Sequence, residues 1–163
     1  MELGPARSDE HDALAAIVKR CNLSYRDWAP PGWQPPPDTA AELRRIADPQ
    51  SHLLVARAEG EPTGFAAWRE STRAPGRGDL HSLFIDPSAW GYGFGRALLR
   101  SAAAEIAASG HTAAELWVPE ANLRAITLYE SEGWRPSGER RRHPRLGLEL
   151  QRYEIELGGP RRP

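Results

Sequence analysis

The chain has 163 residues, 40% hydrophobic and 26% charged, which fits one globular domain and excludes disordered and fibrous classes. Its 21 basic and 22 acidic residues leave a formal net charge of -1, so no global field favours nucleic acid or an anionic membrane. A lone cysteine, Cys21, rules out an intrachain disulfide and a thiolate zinc cluster, which points to a reducing cytoplasm and no metal.

The opening "MELGPARSDEHDALAAIVKR" is acidic where a signal peptide needs basic residues, and no apolar run approaches the roughly 18 residues of a membrane span. After a short first strand, the spacing of Leu14, Ile17 and Val18 predicts a helix over 9–21, capped by Ser8 or Asp9. "SYRDWAPPGWQPPPDT" then breaks all periodicity. Thr39, with Glu42 three residues on, has the spacing of a capping box opening a second helix to about residue 47, so the proline-rich piece is an inter-helix loop.

"SHLLVARAEGEPTGFAAWREST" reads as a hairpin of strands over 52–58 and 63–71, and "GDLHSLFIDP" as a strand ended by Pro87. Residues 93–109 form a helix with Leu98, Leu99, Ala102 and Ile106 on one side, stopped by Gly110. "TAAELWVP" is a strand, "NLRAITLYESE" a helix closed by Gly133, and strands near 134–140 and 146–157 flank a basic turn. Only the β-α-β unit over 79–118 demands a parallel crossover. The expected fold is therefore α/β: a mixed, mostly antiparallel sheet with about four helices on its two faces, one domain over 1–157 and a frayed tail over 158–163.

"DPSAWGYGFGRALLRS" puts Gly91, Gly93 and Gly95 between a strand end and a helix start, where unpaired amides and the positive end of the helix dipole converge. Either this is a tight turn with close helix-to-sheet packing, or it is a cradle that a phosphate can approach. A Walker loop would follow the glycines with Lys-Ser/Thr, and here Arg96-Ala97 follows; the GxGxxG spacing of a dinucleotide fold is also absent.

"LHSLFIDPSAWGYGFGRALL" followed by "LWVPEANLRAITLYESEGW", together about residues 79–135, resembles the two linked motifs of the GCN5-related N-acetyltransferase family. The resemblance implies acetyl-CoA as cofactor, with its pyrophosphate on the backbone of Gly91, Tyr92, Gly93, Phe94, Gly95 and Arg96 and its pantetheine along Leu83, Phe84 and Ile85. It implies transfer of acetyl to a primary amine, of a small molecule or a peptide, by direct attack; a homodimer is left open. Trp90 departs from the family, which carries Arg or Gln there: either a phosphate donor is missing, or the indole packs. A non-catalytic acyl-CoA sensor is the alternative that Trp90 favours and Tyr129 opposes.

The chemistry needs an acceptor for the amine proton and a donor to the departing thiolate. Asn122, Ala125, Ile126 and Tyr129 fall on one helix face, which in the family borders the cofactor, so Tyr129 is the candidate acid and Asn122 either caps the helix or bonds pantetheine. Asp79 and His81, alternate residues of the strand before the glycines, are the candidate bases, with Glu70 and Glu115 as further carboxylates. Trp28 and Trp33 sit on the loop that in this fold covers the acceptor side, where they form either an apolar or cation–π wall or a hydrophobic lid over the core. "ERRRHPR", 139–145, is either a solvated turn or an attractor of acidic acceptors.

Overall fold

The inner strands carry consecutive buried residues, 54–57, 64–68 and 113–116, so the sheet has two buried faces there and needs helices on both. The computed structural model describes residues 1–158; the expected tail lies, from residue 159 on, outside the described residues. Its elements are β1 (Glu2–Pro5), α1 (His11–Ser24), α2 (Thr39–Ile46), β2 (His52–Ala58), β3 (Glu61–Glu70), β4 (Arg77–Ile85), α3 (Phe94–Ala108), β5 (Ala113–Pro119), α4 (Leu123–Ser131), β6 (Arg135–Arg142) and β7 (Glu149–Glu156). They form one sheet in the order β1-β2-β3-β4-β5-β7-β6. Every pairing is antiparallel except β4 with β5, the crossover made through α3.

On one face Leu98, Leu99, Ala102 and Ile106 of α3 pack on Leu54, Ala66, Trp68, Leu80 and Leu116. On the other, Leu14, Ile17 and Val18 of α1 and Leu43 and Ile46 of α2 pack on Val55, Phe65 and Ala67. The second core ends at β3 and the upper part of β4, leaving that face of β5, β7 and β6 without a helix.

Two helix starts differ from expectation. Ser8–Glu10 is a 3-10 turn, and neither Ser8 nor Asp9 caps α1. Instead the Glu10 carboxylate accepts from the Arg7 N–H (2.7 Å) and from buried Arg57 (2.6 and 2.8 Å), which tightens the chain before the helix begins. At α2 the cap is Asp38, whose Oδ1 accepts from the Ala41 N–H at 2.9 Å; Thr39 is already helical.

Strand β4 is irregular on both of its edges. Ala67 pairs with Ser82 but Trp68 with Leu80, so His81 is the extra residue of a β-bulge. The parallel seam with β5 holds only Arg77↔Ala113, Gly78↔Ala114 and Asp79↔Glu115, although β4 runs on to Ile85 and β5 to Pro119.

Candidate active site

Beyond Asp79 the two central strands part. Leu83, Phe84 and Ile85 pair with Ala66, Phe65 and Gly64 of β3 on one edge and have no strand on the other. A cleft of about 580 Å³ opens at this free edge, bounded by the turn into α3, the start of α4, and Tyr25 and Trp28 from the 3-10 turn that follows α1.

The glycines divide by purpose. Gly91 (φ 83°) and Gly93 (φ 87°) adopt left-handed backbone, and a Cβ at either would meet nothing within 4 Å. There the need is conformational. Gly95 is helical, and its Cβ would lie 3.2 Å from Leu128 Cδ2, so it serves close packing of α3 on α4. None of the backbone N–H groups from Gly91 to Arg96 donates to another part of the described chain; the first helical bond is Ala97 N–H to Gly93 O at 3.0 Å. No carboxylate stands in the first turn of α3. Six consecutive unspent amides beside an open cleft therefore fit a diphosphate, and the free edge of Leu83–Ile85 fits an amide-bearing chain such as pantetheine.

The side chains around the cradle are less uniform than expected. Tyr92 is 74% exposed and is not part of the cleft wall. Arg96 spends its guanidinium on Glu132 at 2.8 Å, which Arg100 also holds at 2.6 Å. Trp90 donates from Nε1 to the Ile85 carbonyl at 3.0 Å and stacks under the Arg124 guanidinium, 4.1 Å from the ring centroid. Arg124 lines the cleft and has no carboxylate partner among the described residues. It is a free cation at the cradle.

Tyr129 and Asn122 both reach the cleft, while Ile126, on the expected helix face, packs into the core. Asn122 caps α4, its Oδ1 accepting from the Ala125 N–H at 3.3 Å. That leaves its amide nitrogen for a ligand. The Tyr129 ring is buried against Trp134 and Tyr153, and its hydroxyl has no hydrogen-bond partner among the described residues. Burial pushes its pKa above the ordinary phenol value, so it stays a proton donor. Cys21, also in the cleft wall, donates from Sγ to Ile85 O at 3.0 Å, and burial pushes its pKa up to about 12.

The two candidate bases lie at the closed end of the gap and outside the cleft wall. Asp79 is the last paired residue of β4 on that seam. Its pKa is raised to about 6, first by burial and then by Glu115 beside it, against the pull of Arg69, Arg141 and Arg73. His81 has both ring nitrogens engaged, Nε2 with Ser51 Oγ (2.9 Å) and Nδ1 with Ser82 Oγ (3.1 Å), and burial lowers its pKa to about 4. That pattern suits a neutral structural imidazole better than a base. Glu115 is buried and committed, accepting from Ser71 Oγ at 2.5 Å and from Arg152 at 2.7 Å; Glu70 is an exposed neighbour of His111.

Trp28 joins the cleft wall, packed against Tyr25 with ring centroids 4.8 Å apart and planes tilted by 40°. Trp33 donates from Nε1 to Leu146 O at 2.7 Å, which ties the proline-rich loop to the β6–β7 connection. Sequence reasoning passed over two residues. Arg124 stood in plain view between Asn122 and Ala125 in the second motif, and Trp117, whose ring carries the guanidinium groups of both Arg73 and Arg141, read only as a strand residue.

The profile of the acetyltransferase (GNAT) family matches residues 18–134. N-alpha-acetyltransferase RimI of Mycobacterium tuberculosis is 35% identical over 130 residues, covering 78% of each chain. A mycothiol acetyltransferase of Propionibacterium freudenreichii is 39% identical over 137 residues, 82% of this chain but 43% of that protein, so the chain spans less than half of that longer relative. Among solved structures, the ribosomal-protein-S18-alanine N-acetyltransferase from Escherichia coli superposes with a TM-score of 0.76 at 18% identity, over 99% of this chain and 98% of that one, a likeness of fold. The chain belongs to the acetyltransferase (GNAT) family and is an acetyl-CoA-dependent N-acetyltransferase.

Proposed function

We propose that this acetyltransferase moves the acetyl group directly to a primary amine, with no acetylated enzyme between, and that Tyr129 and Asp79 handle the two protons. One observation carries the reading: the unspent amides of Gly91–Arg96 and Tyr129, whose hydroxyl has no partner among the described residues, line one cleft, and Asp79 ends the β4–β5 seam where the gap between the strands begins. Acetyl-CoA, when bound, supplies a thioester whose acetyl carbon bonds to the amine nitrogen as its bond to sulfur breaks, so one proton leaves the amine and one goes to the thiolate.

The amides from Gly91 to Arg96 would hold the diphosphate, with Arg124 adding the charge that Trp90 cannot. Leu83 to Ile85 would hold the pantetheine amides, and Asn122 would offer its amide nitrogen. Tyr129 gives a proton from its hydroxyl. Asp79, with a pKa of about 6, is ionised at neutral pH and takes the amine proton, directly or through water. Cys21 is a poor nucleophile because its thiol is held protonated, which favours direct attack. The name of the M. tuberculosis relative supports an α-amine as the acceptor group.

Free-thiol release from acetyl-CoA over a panel of amines tests the activity, and intact mass after incubation with acetyl-CoA alone tests the route. Direct attack predicts amine-dependent release and an unmodified enzyme. A stoichiometric acetyl adduct that an amine then discharges would overturn it.

A further inference from the structure

Trp117 lies two residues beyond Glu115, the end of the seam, so it sits about 7 Å further along the rim of the gap. Leu116 and Val118 point into the core with α3, which places Trp117 on the opposite face, the one shared with Asp79 and not covered by a helix. Two guanidinium groups stack on its ring: Arg141, with Cζ 4.3 Å from the centroid, and Arg73, at 5.3 Å.

The pairing of charges on this face is incomplete. Arg73 is bound to Glu139 at 2.8 Å, and Arg152 to Glu115 at 2.7 Å and to Glu139 and Glu154 at 3.2 Å. Arg141 has no carboxylate within 4 Å among the described residues, and neither has Arg69, the cross-strand partner of Asp79, whose Nε is buried without a hydrogen-bond partner. Every carboxylate here except Asp79 is already spoken for. An exposed cation held on an indole face and lacking a carboxylate within ion-pair distance is preset to receive an incoming anion.

We propose that the acceptor is an amine whose own molecule carries a carboxylate one or two residue lengths from the nitrogen, and that Arg141, steered by Trp117, binds that carboxylate. The proposal rests on the amine-acetylation reading above and narrows it to a substrate class. It fits an acidic residue next to a peptide's N-terminal amine, or a free ω-amino acid. Arg141 acts on acceptor binding, so its loss raises KM for the acceptor and leaves acetyl-CoA affinity unchanged, while Asp79, relieved of one cation, titrates at higher pH in every Arg141 variant that removes the charge.

The test compares kcat/KM on three short peptides that begin Ala-Asp, Ala-Asn and Ala-Lys, with γ-aminobutyrate and butylamine as the small-molecule arm, for the wild-type protein and for Arg141→Ala, Arg141→Lys and Arg141→Glu. The wild type should favour Ala-Asp over Ala-Asn by about tenfold or more, the span of one charge-assisted hydrogen bond. Arg141→Lys should keep that order, Arg141→Ala should level it, and Arg141→Glu should reverse it towards Ala-Lys, all with unchanged acetyl-CoA affinity by calorimetry. A preference for γ-aminobutyrate over butylamine without discrimination among the peptides assigns the carboxylate to a small amino acid. Equal rates on all peptides and on both small amines, or an order that Arg141→Glu does not alter, overturns the anionic acceptor while amine acetylation stands. Acetylation of none of them, with acetyl-CoA bound, overturns the amine reading and this proposal with it.

Discussion

The Arg124 guanidinium lies 4.1 Å from the centre of the Trp90 indole, and that indole donates to the Ile85 carbonyl at 3.0 Å. Trp90 is thus a bracket that holds a guanidinium beside the glycine turn, and under the function proposed above Arg124 would supply the charge that Trp90 cannot.

Trp90→Arg should therefore not repair anything. It places two guanidinium groups together and removes both the hydrogen bond and the cation–π contact, so we expect a stability loss of about 1–3 kcal/mol and no gain in acetyl-CoA affinity. Arg124→Ala should leave the melting temperature nearly unchanged and weaken acetyl-CoA binding by about tenfold or more. Calorimetry and thermal melts on both variants decide it; tighter binding by Trp90→Arg would contradict the bracket.

Gly93→Ala and Gly95→Ala should fail for different reasons. At Gly93 the left-handed backbone charges any side chain about 1–2 kcal/mol although the space is empty, and the realigned amides should weaken acetyl-CoA binding. At Gly95 the new methyl sits 3.2 Å from Leu128 Cδ2, which must give way by a few tenths of an ångström; that offsets the roughly 1 kcal/mol alanine gains in a helix, and affinity falls through the shift of α4 on α3. Equal affinity and stability for both variants would dissolve the distinction.

Tyr129→Phe removes a hydroxyl that bonds to nothing in the described chain, so the melting temperature should hold or rise slightly. Turnover should fall by about ten- to a thousand-fold with little change in KM for acetyl-CoA. A fall in stability that matches the loss of activity would make the residue structural.

Asp79→Asn gives a prediction on two axes. The rate should rise with pH through about 6 in the wild type and lose that limb in the variant. For stability, the folded carboxyl binds its proton more tightly than the ordinary value of 3.8 allows, so its contribution is fully present below that pH and is lost as pH rises through about 6. Asp79→Asn should then be more stable than the wild type at neutral pH, by up to about 3 kcal/mol, and no more stable below about pH 4. A crossing in the opposite sense would show that Arg69 and Arg141 outweigh burial at this site.

The order of elements was legible because each has its own period and its own punctuation, and strong signals such as Gly110, Gly133 and Pro87 fall where elements end. The caps were less legible, since Asp38 and Thr39 are both good caps and only the helix axis chooses between them. The three-pair seam, the His81 bulge and the bracket around Arg124 depend on register between distant segments, which no local pattern carries. Glu115 shows the limit plainly: in sequence it equals Asp79 as a carboxylate on a strand, and only its two partners in space, Ser71 and Arg152, disqualify it.

The short seam between β4 and β5 also makes the cohesion of the sheet depend on what lies in the gap. Backbone groups on the facing edges of Leu83–Ile85 and of the β5 stretch beyond Glu115 lack a strand partner, so they should exchange with deuterium far faster than their neighbours in β3 and β7. An occupant that supplies its own amides there completes the ladder and joins the β1–β4 ribbon to the β5–β7–β6 ribbon. By mass action it raises the free energy of unfolding with the logarithm of its concentration. The protein's resistance to heat and proteolysis would then follow the supply of its acyl donor.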